Sequence, residues 1–160
     1  MCRSMCTAAA LFFEQDLPPQ EKPLMLETVQ NRPVLFWMGR RMAELGVRRF
    51  FVAAPERYAD KVRACLPAEA EVVVSERHDA LMAFLDTGET VLALPRAALP
   101  MAQAGVGMVY AAPGQSLREA WRLKLTNAVQ DTELVPGWVP VYSRELLEEL
   151  RPHFQPEAAE

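Results

Sequence analysis

The 160 residues contain three cysteines and two histidines. An odd cysteine count gives no disulfide framework, and a reducing cytoplasm is the expected home. Cys2 and Cys6 have the spacing of half a metal site, but His78 and His153 stand alone, so no second cluster completes it. There is no basic excess. The formal charge is −4 and the Lys and Arg residues are dispersed, which leaves little to neutralise the phosphates of a nucleic acid and excludes one as the default partner. No segment approaches the roughly 18 continuous apolar residues of a membrane span. The apolar run from Thr7 to Phe13 is too short for a signal peptide and enters Glu14 and Asp16 without a cleavage-like site. Glycine-based and nucleophile signatures are also missing: there is no Gly-x-Ser-x-Gly, no Walker loop and no Gly-x-Gly-x-x-Gly.

What is present is an ordinary globular composition, 51% hydrophobic and 24% charged. A chain of this length can bury roughly 70% of its unfolded surface without metals or disulfides. One domain is expected over residues 1–151, with an acidic, proline-containing tail over 152–160. Thr7 to Phe13 is apolar at every position, as in a strand covered on both faces. Glu14 to Gln20, with its double proline, then reads as a loop at the carboxyl end of that strand, the edge where open α/β sheets bind ligands.

Alternation follows. Pro33 suits the first turn of a helix that buries Val34, Met38, Met42 and Leu45 and closes at Gly46. Phe50 to Ala54 is a second strand. A helix from Pro55 carries Tyr58, Val62 and Leu66 inward and stops before Pro67. Glu71 to Val74 is a third strand, Asp79 to Asp86 a helix, and Thr90 to Leu94 a fourth strand. Strand–helix alternation with short connections implies an α/β fold: a three-layer α/β/α arrangement around a mostly parallel, Rossmann-like sheet. Further on, the pattern predicts a short helix over Ala97 to Gln103, a strand over Val106 to Ala111 and a turn at Pro113-Gly114. Ser116 and Glu119 have the spacing of a capping box opening a helix towards Val129. Trp138 to Tyr142 reads as a strand at the sheet edge, and Ser143 as the cap of a helix through Leu150.

Lys22-Pro23-Leu24, Val29, Arg32-Pro33-Val34-Leu35 and Leu45-Gly46-Val47 together resemble the opening of the sugar-nucleotide pyrophosphorylases, the nucleotidyltransferase family that includes N-acetylglucosamine-1-phosphate uridyltransferases. The resemblance continues at Asp79-Ala80-Leu81 and through Gly88-Glu89-Thr90 to Leu94, about the first two thirds of the chain. It implies the nucleotide-diphospho-sugar transferase fold, with Lys22 as a phosphate-contacting lysine. It also implies a nucleotide or sugar nucleotide as ligand, and a C-terminal β-helix acyltransferase domain or self-association as partner.

Two departures bear on activity. The family's loop after the first strand is rich in glycine so that backbone amides can approach phosphates. Here Glu14 to Gln20 has no glycine, two prolines without amides, and two carboxylates that repel phosphate. The family's metal-binding aspartate aligns with Arg96, and a guanidinium cannot hold magnesium. The expectation is a shortened, degenerate domain without transferase activity, a structural or regulatory module, with Lys22 and Arg96 as candidate substrate-binding residues and no catalytic or metal-ligating residue assigned. An active Mg2+-dependent enzyme that joins a nucleoside triphosphate to a sugar 1-phosphate would need Asp16, Asp79 or Asp86 as replacement ligands. An unrelated flavodoxin-like binding or interaction module also fits the alternation. His78 beside Asp79 could form an acid/base pair, although a histidine near a helix start is more often structural.

Overall fold

The structure, a computed structural model, describes residues 6–14, 20–101, 109–122 and 132–155. β1 (Cys6–Phe12) is followed by a 3-10 turn at Leu24–Leu26 and a hairpin of β2 (Thr28–Val29) and β3 (Arg32–Pro33). Next come α1 (Val34–Glu44), β4 (Arg49–Ala53), a 3-10 turn leading into α2 (Ala59–Cys65), β5 (Glu71–Val74), α3 (His78–Phe84) and β6 (Thr90–Leu94). The remainder holds β7 (Ala98–Pro100), β8 (Tyr110–Pro113), α4 (Gly114–Arg122), β9 (Glu133–Leu134), β10 (Trp138–Pro140), α5 (Arg144–Leu150) and a final 3-10 turn at Arg151–His153.

The protein is mixed α/β around a six-stranded sheet of order β5-β4-β1-β6-β8-β9. β5, β4, β1 and β6 run parallel, while β8 is antiparallel to β6 and β9 antiparallel to β8. β1 lies inside this sheet with neighbours on both sides, and Ala8, Ala9, Ala10 and Leu11 are fully buried. Alternate residues divide the core in two. Ala9, Leu11 and Phe13 join the cluster that holds Met38 and Met42 of α1 and Val62 of α2. Ala8 and Ala10 join the one that holds Leu81 of α3 and Leu117 of α4. A period-two strand buried on both faces requires this division.

Helix α1 has the ends that its sequence encodes. Pro33 takes the cap position in extended geometry (φ −60°, ψ 151°), one residue earlier than the helical turn expected of it. At the other end Gly46 has φ 104°, its amide donates to Ala43 O at 3.1 Å and the Val47 amide to Met42 O at 3.0 Å, which is a Schellman closure. Trp37 Nε1 donates to Val29 O at 2.7 Å, fixing the β2–β3 hairpin on the helix. The hairpin turns through Gln30 and Asn31, both at positive φ (55° and 66°). Asparagine tolerates that region, and a two-residue turn between such strands needs it twice.

A polar clasp holds the amino ends of three parallel strands. The Glu89 carboxylate, just before β6, accepts from Thr7 Oγ1 of β1 at 2.8 Å, from Arg49 Nη1 of β4 and from Thr87 Oγ1 at 3.2 Å. The Arg49 guanidinium also lies 4.4 Å from the Phe84 ring centroid and donates to Phe84 O at 3.3 Å. Burial acts to raise the Glu89 pKa. It is outweighed by the Thr7 hydrogen bond, the Arg49 charge and the Thr87 hydroxyl, so the carboxyl titrates below its ordinary range.

The second half of the chain departs from its sequence pattern. Ala97 to Gln103 is not a helix where it is described: Ala98–Pro100 is β7, paired antiparallel with β10 in a separate two-stranded sheet. Alanine's helix propensity yields to this pairing, and Pro100 has no amide for a helix. β10 accordingly does not join the central sheet. Pro113 belongs to β8 opposite Thr90, and α4 begins at Gly114, whose amide donates to Glu89 O at 2.8 Å. Ser116 is therefore inside the helix rather than its cap, because a tertiary contact starts the helix first. Positions 106–108 of the expected strand and the helix beyond Arg122 lie outside the described residues. Ser143 does cap α5, accepting from the Leu146 amide at 3.1 Å. The packed chain continues past Pro152: Phe154 is buried, 5.2 Å from the Trp37 ring. The rest of the expected tail, 156–160, lies outside the described residues.

Replacing Glu89 with Ala should lower stability by about 1–2 kcal/mol at pH 7, since it leaves Arg49 and Thr7 without their shared acceptor. A group whose folded pKa is depressed contributes stability that is present above its unfolded value, about 4.3, and lost as pH falls through the folded value. The gap between wild type and variant in urea melts should therefore narrow as pH drops below that value. Gly114→Ala should destabilise by about 1–3 kcal/mol, because a Cβ there would lie 2.8 Å from Leu85 O and 2.7 Å from Thr87 Cγ2. At Gly88 a Cβ meets nothing within 4 Å, so Gly88→Ala should change stability by less than about 1 kcal/mol. Thermal melts of the two alanine variants compare these directly.

Candidate functional site

From β1 the chain steps to β4 and on to β5 on one side, then crosses back to place β6 on the other side of β1. This reversal makes the carboxyl ends of β1 and β6 a topological switch point, the place where open α/β sheets bind ligands. Three short segments border it: the end of β1 through Phe13 and Glu14, the chain from Gln20 into the 3-10 turn, and the bend Pro95-Arg96 after β6.

Arg96 follows the end of β6 by two residues. Its side chain is half-buried, and its Nε is enclosed with no hydrogen-bond partner among the described residues. Neither an ion pair nor a ring contact holds the guanidinium there among the described residues. The segment bearing it is fixed nonetheless. Ala97 is buried and its carbonyl accepts from the Val141 amide at 2.8 Å, while β7 packs on α1. A buried donor without a partner among the described residues is rare in folded proteins.

Lys22 is exposed, and its main-chain carbonyl accepts from Arg144 Nη2. The same guanidinium pairs with Glu27 at 3.4 Å. The first residue of α5 thus holds the Lys22 segment, and the residue three positions earlier, Val141, holds the Arg96 segment. Both candidate residues lie on backbone tied to the single stretch 141–144.

Glu14 has a different role from the phosphate-repelling one that the sequence suggests: its Oε2 accepts from the Leu24 amide at 3.0 Å. It closes the loop by capping the 3-10 turn. Residues 15–19, including Asp16 and both prolines of that loop, lie outside the described residues. Tyr58 packs against Phe13 at 6.0 Å between ring centroids, placing an aromatic beside the end of β1.

Histidine and carboxylate chemistry does not assemble at this edge among the described residues. Asp79 is engaged by Arg77 through two bonds of 3.0 and 2.8 Å, a hydrogen-bonded pairing that holds its pKa below the ordinary range. His78 is exposed and forms no pair with Asp79. Asp86 accepts from Gln115 Nε2 at 2.8 Å beyond the far end of α3, which leads away from the carboxyl edge. Among the described residues no three His, Cys, Asp or Glu side chains gather as a metal site. Cys6 and Cys65 are buried, and Cys2 lies outside the described residues. Burial pushes the Cys65 thiol pKa up.

Sequence reasoning missed two features that shape this region. The Gln30-Asn31 hairpin had one signal, an asparagine between two short β-prone pairs. The 141–144 stretch had none, since only tertiary hydrogen bonds bring it beside Ala97 and Lys22. No protein-family model matches this chain, and no curated protein matches it either.

Proposed function

We propose that the chain is a degenerate nucleotidyltransferase-like domain of the sugar-nucleotide pyrophosphorylase type, with a three-layer, Rossmann-like sheet. It has lost transferase activity, serves as a structural or regulatory module, and keeps an anion-binding position at the carboxyl edge of that sheet. The observation that carries the reading is the unpartnered Nε of Arg96 beside the β1/β6 reversal. A guanidinium offers a fork of donors that fits phosphate oxygens, and the exposed Lys22 can add a second positive charge from the neighbouring segment. The carboxylates that magnesium chemistry would call on support the inactive side of the proposal: Asp79 is engaged by Arg77 and Asp86 by Gln115. Glu14 supports it too, since it closes with its side chain a loop that phosphate-binding relatives leave to glycine amides.

A thermal-shift screen with UTP, UDP-sugars and sugar 1-phosphates, each with and without Mg2+, tests this, because a ligand that binds only the folded state raises the melting point. The expected result is stabilisation by phosphorylated ligands that does not depend on Mg2+, is lost in Arg96→Gln, and is accompanied by no pyrophosphate release. Magnesium-dependent stabilisation by one triphosphate, with pyrophosphate release, would establish an active enzyme instead. No shift from any ligand would leave an interaction module on a flavodoxin-like scaffold.

A further inference from the structure

Helix α1 and the end of α2 meet at Gly39, where a Cβ would lie 2.7 Å from Leu66 Cδ2 and 3.4 Å from Cys65 O. Only a glycine allows that approach. Beside the junction Ala43 and Ala64 are exposed and too short to fill the space they flank, and a groove of about 430 Å³ remains between the two helices. Its walls are mostly apolar, Phe36 and Leu66 among them. Phe36, Arg40 and Ala43 follow one another along one face of α1, so the groove runs for two turns, about 10 Å. None of its lining residues belongs to the segments that border the carboxyl ends of β1 and β6.

Two charged side chains reach this groove, Arg40 and Glu44. Glu44 lies 3.9 Å from Arg41 and is partnered there. Arg40 is exposed and has no carboxylate partner among the described residues, its guanidinium lying 5.9 Å from the Trp37 ring centroid. The last carbonyls of α1 do not compete for it, because Arg41 O, Met42 O and Ala43 O already accept from the amides of Leu45, Val47 and Gly46. Small-molecule sites have this make-up: roughly 300–1,000 Å³, mostly apolar walls and a few polar groups that fix orientation. A single unpaired guanidinium matches a carboxylate, whereas the neighbouring Glu44 disfavours a doubly charged phosphate.

We propose that the α1–α2 groove binds a linear amphipathic monocarboxylate of about eight to ten carbons, its chain lying along the two turns between Phe36 and Ala43 and its carboxylate on the Arg40 guanidinium. The site is separate from the anion position at Arg96, and neither depends on the other. Burial of the chain supplies most of the affinity, and Arg40 selects the sign of the head group.

Calorimetric titration of the full chain with decanoate, octanoate, decanol and decylamine tests this. Decanoate should bind at one site per chain, and octanoate about five- to tenfold more weakly, the scale of two methylenes left unburied. Decylamine, with the opposite charge, should bind more weakly than decanoate. Arg40→Gln should weaken decanoate about three- to fivefold, as expected of an ion pair at a half-open rim, and leave decanol unchanged. Ala64→Leu and Ala43→Leu, which fill the groove from exposed helical positions, should each weaken decanoate and decanol alike, with circular dichroism unchanged. Arg96→Gln should alter none of these affinities, which separates a failure here from a failure at the carboxyl edge. The proposal is overturned if wild type does not bind decanoate, if decylamine binds as tightly, or if decanoate binding ignores Arg40→Gln or both leucine variants.

Discussion

Strand β1 has no side facing water, and most of the structure follows from that. Its centre is fully buried between β4 and β6, so helices must cover both faces of the sheet there. The alanines Ala8, Ala9 and Ala10 keep the strand thin, which lets α1 and α3 residues close over it from opposite sides. Strands on both flanks satisfy its backbone, and only its ends can meet solvent. The amino ends are tied together by Glu89, Arg49 and Thr7. The carboxyl ends are left to loops, at the point where the strand order reverses.

The carboxyl edge is shaped by the end of the chain. Arg144 grips the Lys22 carbonyl and Glu27, Arg151 donates to Thr28 O at 3.1 Å, and Gln30 Nε2 reaches Phe154 O at 3.4 Å. Phe154 packs on Trp37, whose indole in turn holds Val29. The hydrogen bonds of Arg144 to Lys22, Arg151 to Thr28 and Gln30 to Phe154 each bridge more than 120 positions of sequence. They fix the segment that carries Lys22 without using its ammonium group, which remains available to a ligand.

Legibility varied with the range of the interactions. Through Leu94 the expected strands and helices match the observed ones to within about two residues, except that the helix expected from Pro55 opens as a 3-10 turn before α2, because each carries its own periodicity and its own stops, such as Gly46 and Pro67. After Leu94 the local signals point the wrong way. Ala97 to Leu99 looks helical until β10 pairs with it, and Ser116 looks like a cap until Glu89 starts the helix at Gly114. Of the candidate site, Arg96 and Lys22 could be named from sequence, since a charged residue beside a strand end is a local pattern. The His78-Asp79 pairing suggested by adjacency is absent, Arg77 having taken the carboxylate.

The sequence alone determined the alternation of strand and helix, the burial of β1 and the closure of α1, because hydrophobic period and backbone-specific residues act over a few positions. Only the tertiary structure decided the strand order, the clasp around Glu89 and the meeting of Ala97 with Val141. Those depend on which distant segments share hydrogen bonds, and a backbone amide carries no mark in the sequence of the carbonyl it will find.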